Sequence, residues 1–171
     1  MRRMAWVRYG ILGTLMVSGG AAVAQESGQE QAALATALRT KHVALTTGLK
    51  AAATKGTPIS AKYEYEDGKL QLSVYTEKNG QFSEVVVDHH TGKVAKTEKI
   101  TKADDLTAAQ TQSAAMAKGK ASLATAVARA LAANKGYGAV SATAATKGGQ
   151  SIAEIVLIKG KEFKSVTEPL A

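Results

Sequence analysis

Lys69 to Val94, KLQLSVYTEKNGQFSEVVVDHHTGKV, decides the fold. Leu70, Leu72 and Val74 alternate with Gln71, Ser73 and Tyr75, the period-two pattern of a strand with one buried face. Asn79-Gly80 then supplies two residues that accept positive φ, as a type I′ hairpin turn requires. A second strand covers Phe82 to Val87. Asp88-His89-His90-Thr91-Gly92-Lys93 turns the chain once more, with Asp88 placed to accept bonds from the turn backbone and Gly92 free to adopt a left-handed conformation.

Working outward, Ile59 to Glu66 is the cleanest strand, with Ile59, Ala61, Tyr63 and Tyr65 on one face and Ser60, Lys62, Glu64 and Glu66 on the other. Asp67-Gly68 joins it to Lys69 as another two-residue hairpin. Lys93 to Ile100 adds a fourth strand, polar enough for a sheet edge. Upstream, Ser27-Gly28-Gln29-Glu30 fits a capping box. The following stripe of Leu34, Leu38, His42, Leu45 and Leu49 predicts a helix to about Thr54, weakened at Gly48 and stopped by Gly56-Thr57-Pro58.

The start of the chain, 1–24, reads as a cleavable signal peptide. Arg2 and Arg3 form the positive region, Gly10 to Val17 the short apolar core, and Ala22-Val23-Ala24 the small-x-small site before Gln25. The apolar core is far shorter than the roughly 20 residues that span a bilayer, and Arg8 interrupts the stretch. The expectation is therefore a periplasmic or secreted chain without stable membrane insertion. It contains no cysteine, so packing alone must stabilise it. Export removes Arg2, Arg3 and Arg8 from the 22 basic residues, leaving 19 against 14 acidic. The remaining lysines are mixed with glutamates along the chain, which speaks against a nucleic-acid partner.

After Thr101 the pattern resumes. Asp104 is the expected N-cap of one long helix over residues 105–134, with Met116, Leu123, Val127 and Leu131 as its stripe and Gly119 as its weak point. Three strands follow: Ala139 to Thr146, Ser151 to Ile158, and Glu162 to Thr167. Thr54-Lys55-Gly56 matches Asn134-Lys135-Gly136 at an offset of 80, and Ile59-Ser60-Ala61 matches Val140-Ser141-Ala142 at 81. Phe82 and Val85 match Phe163 and Val166, again at 81. A near-constant offset marks an internal duplication. The expected fold class is α+β: two tandem α-β-β-β units, each a helix packed on an antiparallel sheet, over residues 25–103 and 104–171. A unit of about 70 residues has a core worth only a few kcal/mol, so the copies should lean on each other. Ile152 to Ile158 is apolar on both faces, which asks for a cover on each side or a dimer seam.

The helix, the hairpin and the closing Val87-Asp88-His89-His90-Thr91-Gly92-Lys93-Val94, with Tyr63-Glu64-Tyr65 and Leu72-Ser73-Val74, resemble the PepSY domain. This is a family of small exported bacterial modules that also occurs in propeptides of thermolysin-like metallopeptidases. The second copy lacks the D-x-x-T-G turn and is a degenerate unit. The resemblance implies restraint of peptidases or protein binding in the cell envelope, without catalysis or a cofactor. Asp88, Thr91 and Gly92 would be the residues of its structural turn.

The chemistry in the residues points the same way. No G-x-S-x-G elbow, H-E-x-x-H helix or nucleophilic cysteine is present, so the expectation is not an enzyme. Asp104-Asp105 suits a helix start. His89 and His90 are the weak candidate metal ligands; adjacent histidines on extended chain point to opposite sides, so no metal is assigned. His42 reads as a core-edge histidine bonded to a carbonyl. Two functions stand side by side. One is a protein-binding module that restrains a peptidase through the Tyr75–Phe82 hairpin edge or the exposed face of Ile152–Ile158. The other is a structural or sensory module that forms a homodimer or binds an envelope ligand or metal.

Overall fold

The structure, a computed structural model, describes residues 21–171, with side chains from residue 28 onward except that of Glu66. The Arg2-Arg3 region and the Gly10–Val17 apolar core lie outside the described residues. In chain order the elements are α1 (Ala21–Ala37), α2 (Leu45–Ala52), β1 (Thr57–Glu66), β2 (Lys69–Lys78), β3 (Gln81–Val87) and β4 (Val94–Lys99). The second half adds α3 (Ala103–Lys118), α4 (Leu123–Ala133), β5 (Gly138–Lys147), β6 (Gln150–Lys159) and β7 (Glu162–Pro169).

The strands form one antiparallel seven-stranded sheet in the order β4-β3-β2-β1-β5-β6-β7. Asp67 and Gly68 have φ of 51° and 75°, and Asn79 and Gly80 of 53° and 76°, so both hairpins turn as their residues predict. The two half-sheets join only where Ser60, Ala61 and Lys62 of β1 meet Thr143, Ala142 and Ser141 of β5. Ala61 and Ala142, equivalent positions of the repeat, face each other at the centre of that ladder. The two halves are thus related by an approximate twofold axis through this pair.

The repeat extends to the register. Ala61 pairs with Val74 as Ala142 pairs with Ile155, and Tyr63 with Leu72 as Ala144 with Ala153. Even the irregularity recurs: the ladder skips Ile59 in β1 and Val140 in β5. That bulge corrects the sequence reading of β1. Ile59 does not share a face with Ala61 and Tyr63 but packs with Tyr75 and Ala109 on the other side.

On one face, α2 and α4 cover the main core. Leu45, Gly48, Leu49 and Ala52 are buried in α2, and Leu123, Ala126, Val127 and Ala130 take the same places in α4. Each leucine withdrawn from water there contributes about 1.5–3 kcal/mol. The contacts are matched in size. A Cβ on Gly48 would come within 3.1 Å of Leu72 Cγ, whereas the equivalent positions in the second half are the small pair Ala126 and Ala153. Gly48 is therefore where α2 meets β2 closely.

Both expected long helices are broken. The first is already helical at Ala21, the first described residue, so Ser27 lies inside α1 and is not its cap; the alanine-rich run ahead of it has the propensity to carry the helix through. The expected cleavage bond Ala24–Gln25 falls within α1. The helix ends at Ala37, and the linker from 38 to 44 takes His42 out of the helical stripe. There His42 Nδ1 lies 2.8 Å from the Thr40 carbonyl. The second helix splits at Gly119, where a Cβ would sit 2.8 Å from Leu170 Cβ. α4 restarts with Ser122 as its cap, its Oγ accepting from Thr125 N at 3.1 Å. The cap of α3 is Lys102, without a side-chain bond, so Asp104 stands in the first turn and not at the cap.

α3 explains a further departure. It crosses onto the opposite face of β1 and β2, where Ser60 Oγ donates to Gln112 Oε1 at 2.9 Å. Ser60, Lys62 and Glu64, read from sequence as the polar outer face, are buried there. β4 is an edge strand, as its composition predicts.

Candidate functional site

The turn after β3 is built from its own residues. Asp88 Oδ1 accepts from His90 N at 2.9 Å, from Thr91 N at 2.7 Å and from Thr91 Oγ1 at 3.0 Å. Asp88 N donates to Lys93 O, and Gly92 N returns to Asp88 O, each at 2.8 Å. Gly92 has φ of 74°, and a Cβ on it would lie 2.8 Å from Thr47 Cγ2 in α2, so conformation and close approach both require glycine. The donors to Asp88, chiefly the Thr91 amide and hydroxyl, hold its carboxyl below the usual carboxylate range.

This turn is docked against the α1–α2 linker. Val43 N donates to His89 O at 2.8 Å, the Tyr63 hydroxyl donates to Val43 O at 2.5 Å, and His90 Nδ1 lies 3.1 Å from Lys41 O. The His42 ring meets Tyr63 edge-on at 5.2 Å, and the His89 and His90 rings are 4.0 Å apart. Burial pushes the Tyr63 phenol up, keeping it a neutral donor, and burial followed by the charge of His90 pushes His89 down. His42, His89 and His90 thus gather around one linker. Among the described residues no group of three or more histidines, aspartates or glutamates is arranged to hold a metal ion. The Asp88 carboxylate is engaged within the turn.

Beside the turn lies an open groove. Ala33, Thr36 and Ala37 of α1 form one wall, Tyr65 and Leu70 of the first hairpin form the other, and His89 and His90 close the end. Tyr65, at 37% exposure, is the exposed large hydrophobic side chain among the described residues. A second, shallower depression runs between Thr107 and Thr111 of α3 and Thr143 of β5. The groove is absent from the sequence reading because it needs α1 laid across the end of β1. Its only local signal is Tyr65, following Tyr63 on the same strand face. Conversely, the Tyr75–Phe82 edge expected to bind a partner is not an edge. β2 and β3 both have neighbours on each side, and Tyr75 is buried at 2% exposure.

Asp88 gives a pH prediction. Its folded pKa is depressed, so its contribution is present above the unfolded value of about 3.9 and is lost as pH falls through the folded value. Asp88→Asn keeps an acceptor oxygen but no charge. The variant is expected to be less stable than wild type at neutral pH, with the gap closing on acidification below about pH 4. Urea midpoints across that range measure it; a gap that persists unchanged into strong acid contradicts the assignment.

The elements so far define a class: a small helix-on-sheet module whose polar chemistry is concentrated in a turn and a groove. Residues 29–98, which run from within α1 into β4, match the family described as "Peptidase propeptide and YPEB domain", PepSY. No curated protein matches the chain. Among solved structures, a crystal structure of a Clostridium difficile 630 protein described as a candidate lipoprotein is similar. Its TM-score is 0.39 at 16% identity, covering 69% of this chain and 78% of that one.

Proposed function

We propose that the protein is a non-catalytic, exported protein-binding module that restrains a peptidase in the cell envelope, with the groove between α1 and the β1–β2 hairpin as its contact surface. The match of residues 29–98 to the peptidase-propeptide family carries the reading. The groove supports it: an exposed tyrosine beside a half-buried leucine, on a wall of small helix residues, suits an extended apolar segment of a partner. The basic-then-apolar start of the chain supports export, and no helix among the described residues is long and apolar enough to cross a membrane. Residues 104–171 act as a second, degenerate unit that completes the sheet.

Capture of envelope peptidases on the immobilised protein, followed by an inhibition assay, tests this. The wild-type chain is expected to inhibit the captured peptidase, and Tyr65→Ala to weaken inhibition by about tenfold or more, as loss of an aromatic anchor does. Failure to capture a peptidase at any concentration sinks the reading.

One observation favours self-association as a second reading. Val156 and Ile158 of β6 are only half-buried, whereas Tyr75, the counterpart of Val156 in the first half, is covered by α3. Light scattering across a concentration series distinguishes a dimer from a monomer.

A further inference from the structure

The two halves differ in charge at one pair of equivalent places, the tips of the β2–β3 and β6–β7 hairpins. In the first half the tip carries Lys55 and Lys78, with Glu77 bonded through Oε1 to Gly80 N at 2.7 Å. At the offset of 81, Glu77 becomes Ile158, Gly80 becomes Lys161 and Ser83 becomes Lys164, while Lys78 persists as Lys159. At an offset of 80, Lys55 persists as Lys135 and Thr57 becomes Tyr137. One acid has gone with Glu77 and one has come where Gln81 becomes Glu162, while two lysines and an aromatic ring have been added.

These changes gather on one surface. Lys135, Lys159, Lys161 and Lys164 are all exposed. The ammonium groups of Lys159 and Lys164 each lie 5.8 Å from the centre of the Tyr137 ring. Lys164 Nζ donates to Asn134 Oδ1 at 2.6 Å, which ties β7 to the end of α4. Glu162, the acid in the hairpin loop's own flank, accepts from the Tyr137 hydroxyl at 2.6 Å and leaves the lysine charge in excess.

We propose that this tip is an electrostatic docking surface for an anionic phospholipid membrane. Lysine ammonium groups are compact, hydrated point charges without the fork geometry that recognises a single carboxylate. Four exposed ones at and beside a hairpin tip suit a continuous sheet of headgroup charge better than one acidic side chain. Tyr137, half-buried with its hydroxyl at the surface, is the kind of ring that sits at a membrane interface. The tip does not depend on the peptidase reading, since it lies outside residues 29–98 and shares no residue with the groove.

Co-sedimentation of the full chain with phosphatidylcholine vesicles, with and without phosphatidylglycerol, tests the proposal. Residues 1–24 are common to every variant and cancel from the comparison. The wild-type chain should partition onto anionic vesicles and lose much of that binding when the Debye length is shortened by added salt. Each lysine removed should weaken binding about fivefold, so Lys135→Gln/Lys161→Gln/Lys164→Gln should lose roughly a hundredfold. The mirror variant Lys55→Gln/Lys78→Gln should change it less than about twofold, because the proposal places the contact on the other tip. Lys161→Glu alone, in the exposed loop, cannot unfold the core and should weaken binding by about tenfold or more. Equal binding to neutral and anionic vesicles, equal loss in the mirror variant, or binding of soluble polyglutamate with vesicles ignored would each overturn it.

Discussion

Lys62→Met is expected to destabilise the protein by about 3–5 kcal/mol, enough to lower its melting temperature by roughly 10 °C or more. Lys62 and Glu64 alternate with Tyr63 along β1, so their side chains project together from one face. They form an ion pair with side-chain exposures of only 10% and 5%. β1 is flanked by β2 and β5, and the surrounding face holds Ser60 bonded to Gln112, the buried Ser73 opposite Lys62, and Tyr75. Removing the ammonium alone leaves the Glu64 carboxylate in a place that water reaches poorly. The cost of that charge exceeds what the pair itself contributes, because forming the pair already required both groups to shed water. The informative control is therefore the double variant Lys62→Met/Glu64→Met. It should recover most of the loss, and replacing a buried pair by apolar side chains of similar length can end above wild type. Urea midpoints of the wild type, both singles and the double make a complete cycle. A single variant costing less than about 1 kcal/mol, or a double worse than either single, would show that the two charges are solvated separately.

The same face shows what could and could not be read from the chain alone. Asp67-Gly68 and Asn79-Gly80 were legible because each turn's conformation is a property of its own two residues. The Asp88 turn was legible for the same reason: its acceptor, its hydroxyl and its glycine all lie between Asp88 and Gly92. The repeat was legible because strands keep register, and the offset of 81 survives even in the bulges at Ile59 and Val140. Ser60, Lys62 and Glu64 misled because polarity ordinarily marks the solvent face, whereas here α3 crosses it and the charges pair. The break between α1 and α2 was invisible for a related reason. Val43 is held by Tyr63 in β1 and by His89 beyond β3, so the linker is fixed by partners that no helical window contains. The groove followed the same rule: Tyr65 is visible in the sequence, but its opposite wall is α1, with a linker, a second helix and most of β1 between them. Local chemistry thus identified the turns, and long-range packing decided where helices stop and what the turns face.

Leu170→Ala is expected to cost about 2–5 kcal/mol, a large effect for a residue so near the end of the chain. Leu170 is fully buried within the main core, and its backbone is held as firmly as its side chain. Its N–H donates to Ser151 O at 2.9 Å, and its carbonyl accepts from Lys120 N at 2.5 Å and Ala121 N at 2.9 Å. Those two amides lie in the corner between α3 and α4, and Gly119 closes directly on the Leu170 side chain. The leucine therefore closes on the break that Gly119, the weak point of the helical pattern over 105–134, already marks. Truncation removes the transfer energy of the side chain and leaves a cavity at that corner, which can relax only if α3 and α4 shift. Leu170→Met, similar in volume and unbranched, should cost less than about 1.5 kcal/mol. Hydrogen exchange separates packing from a general loss of stability. In Leu170→Ala the Lys120 and Ala121 amides should lose protection beyond the global change, whereas those of β1 and β2 should follow the global change alone. If the methionine variant is as unstable as the alanine one, or if the corner amides exchange no faster than the central strands, the corner is held by α3 and α4 themselves and Leu170 merely rests against it.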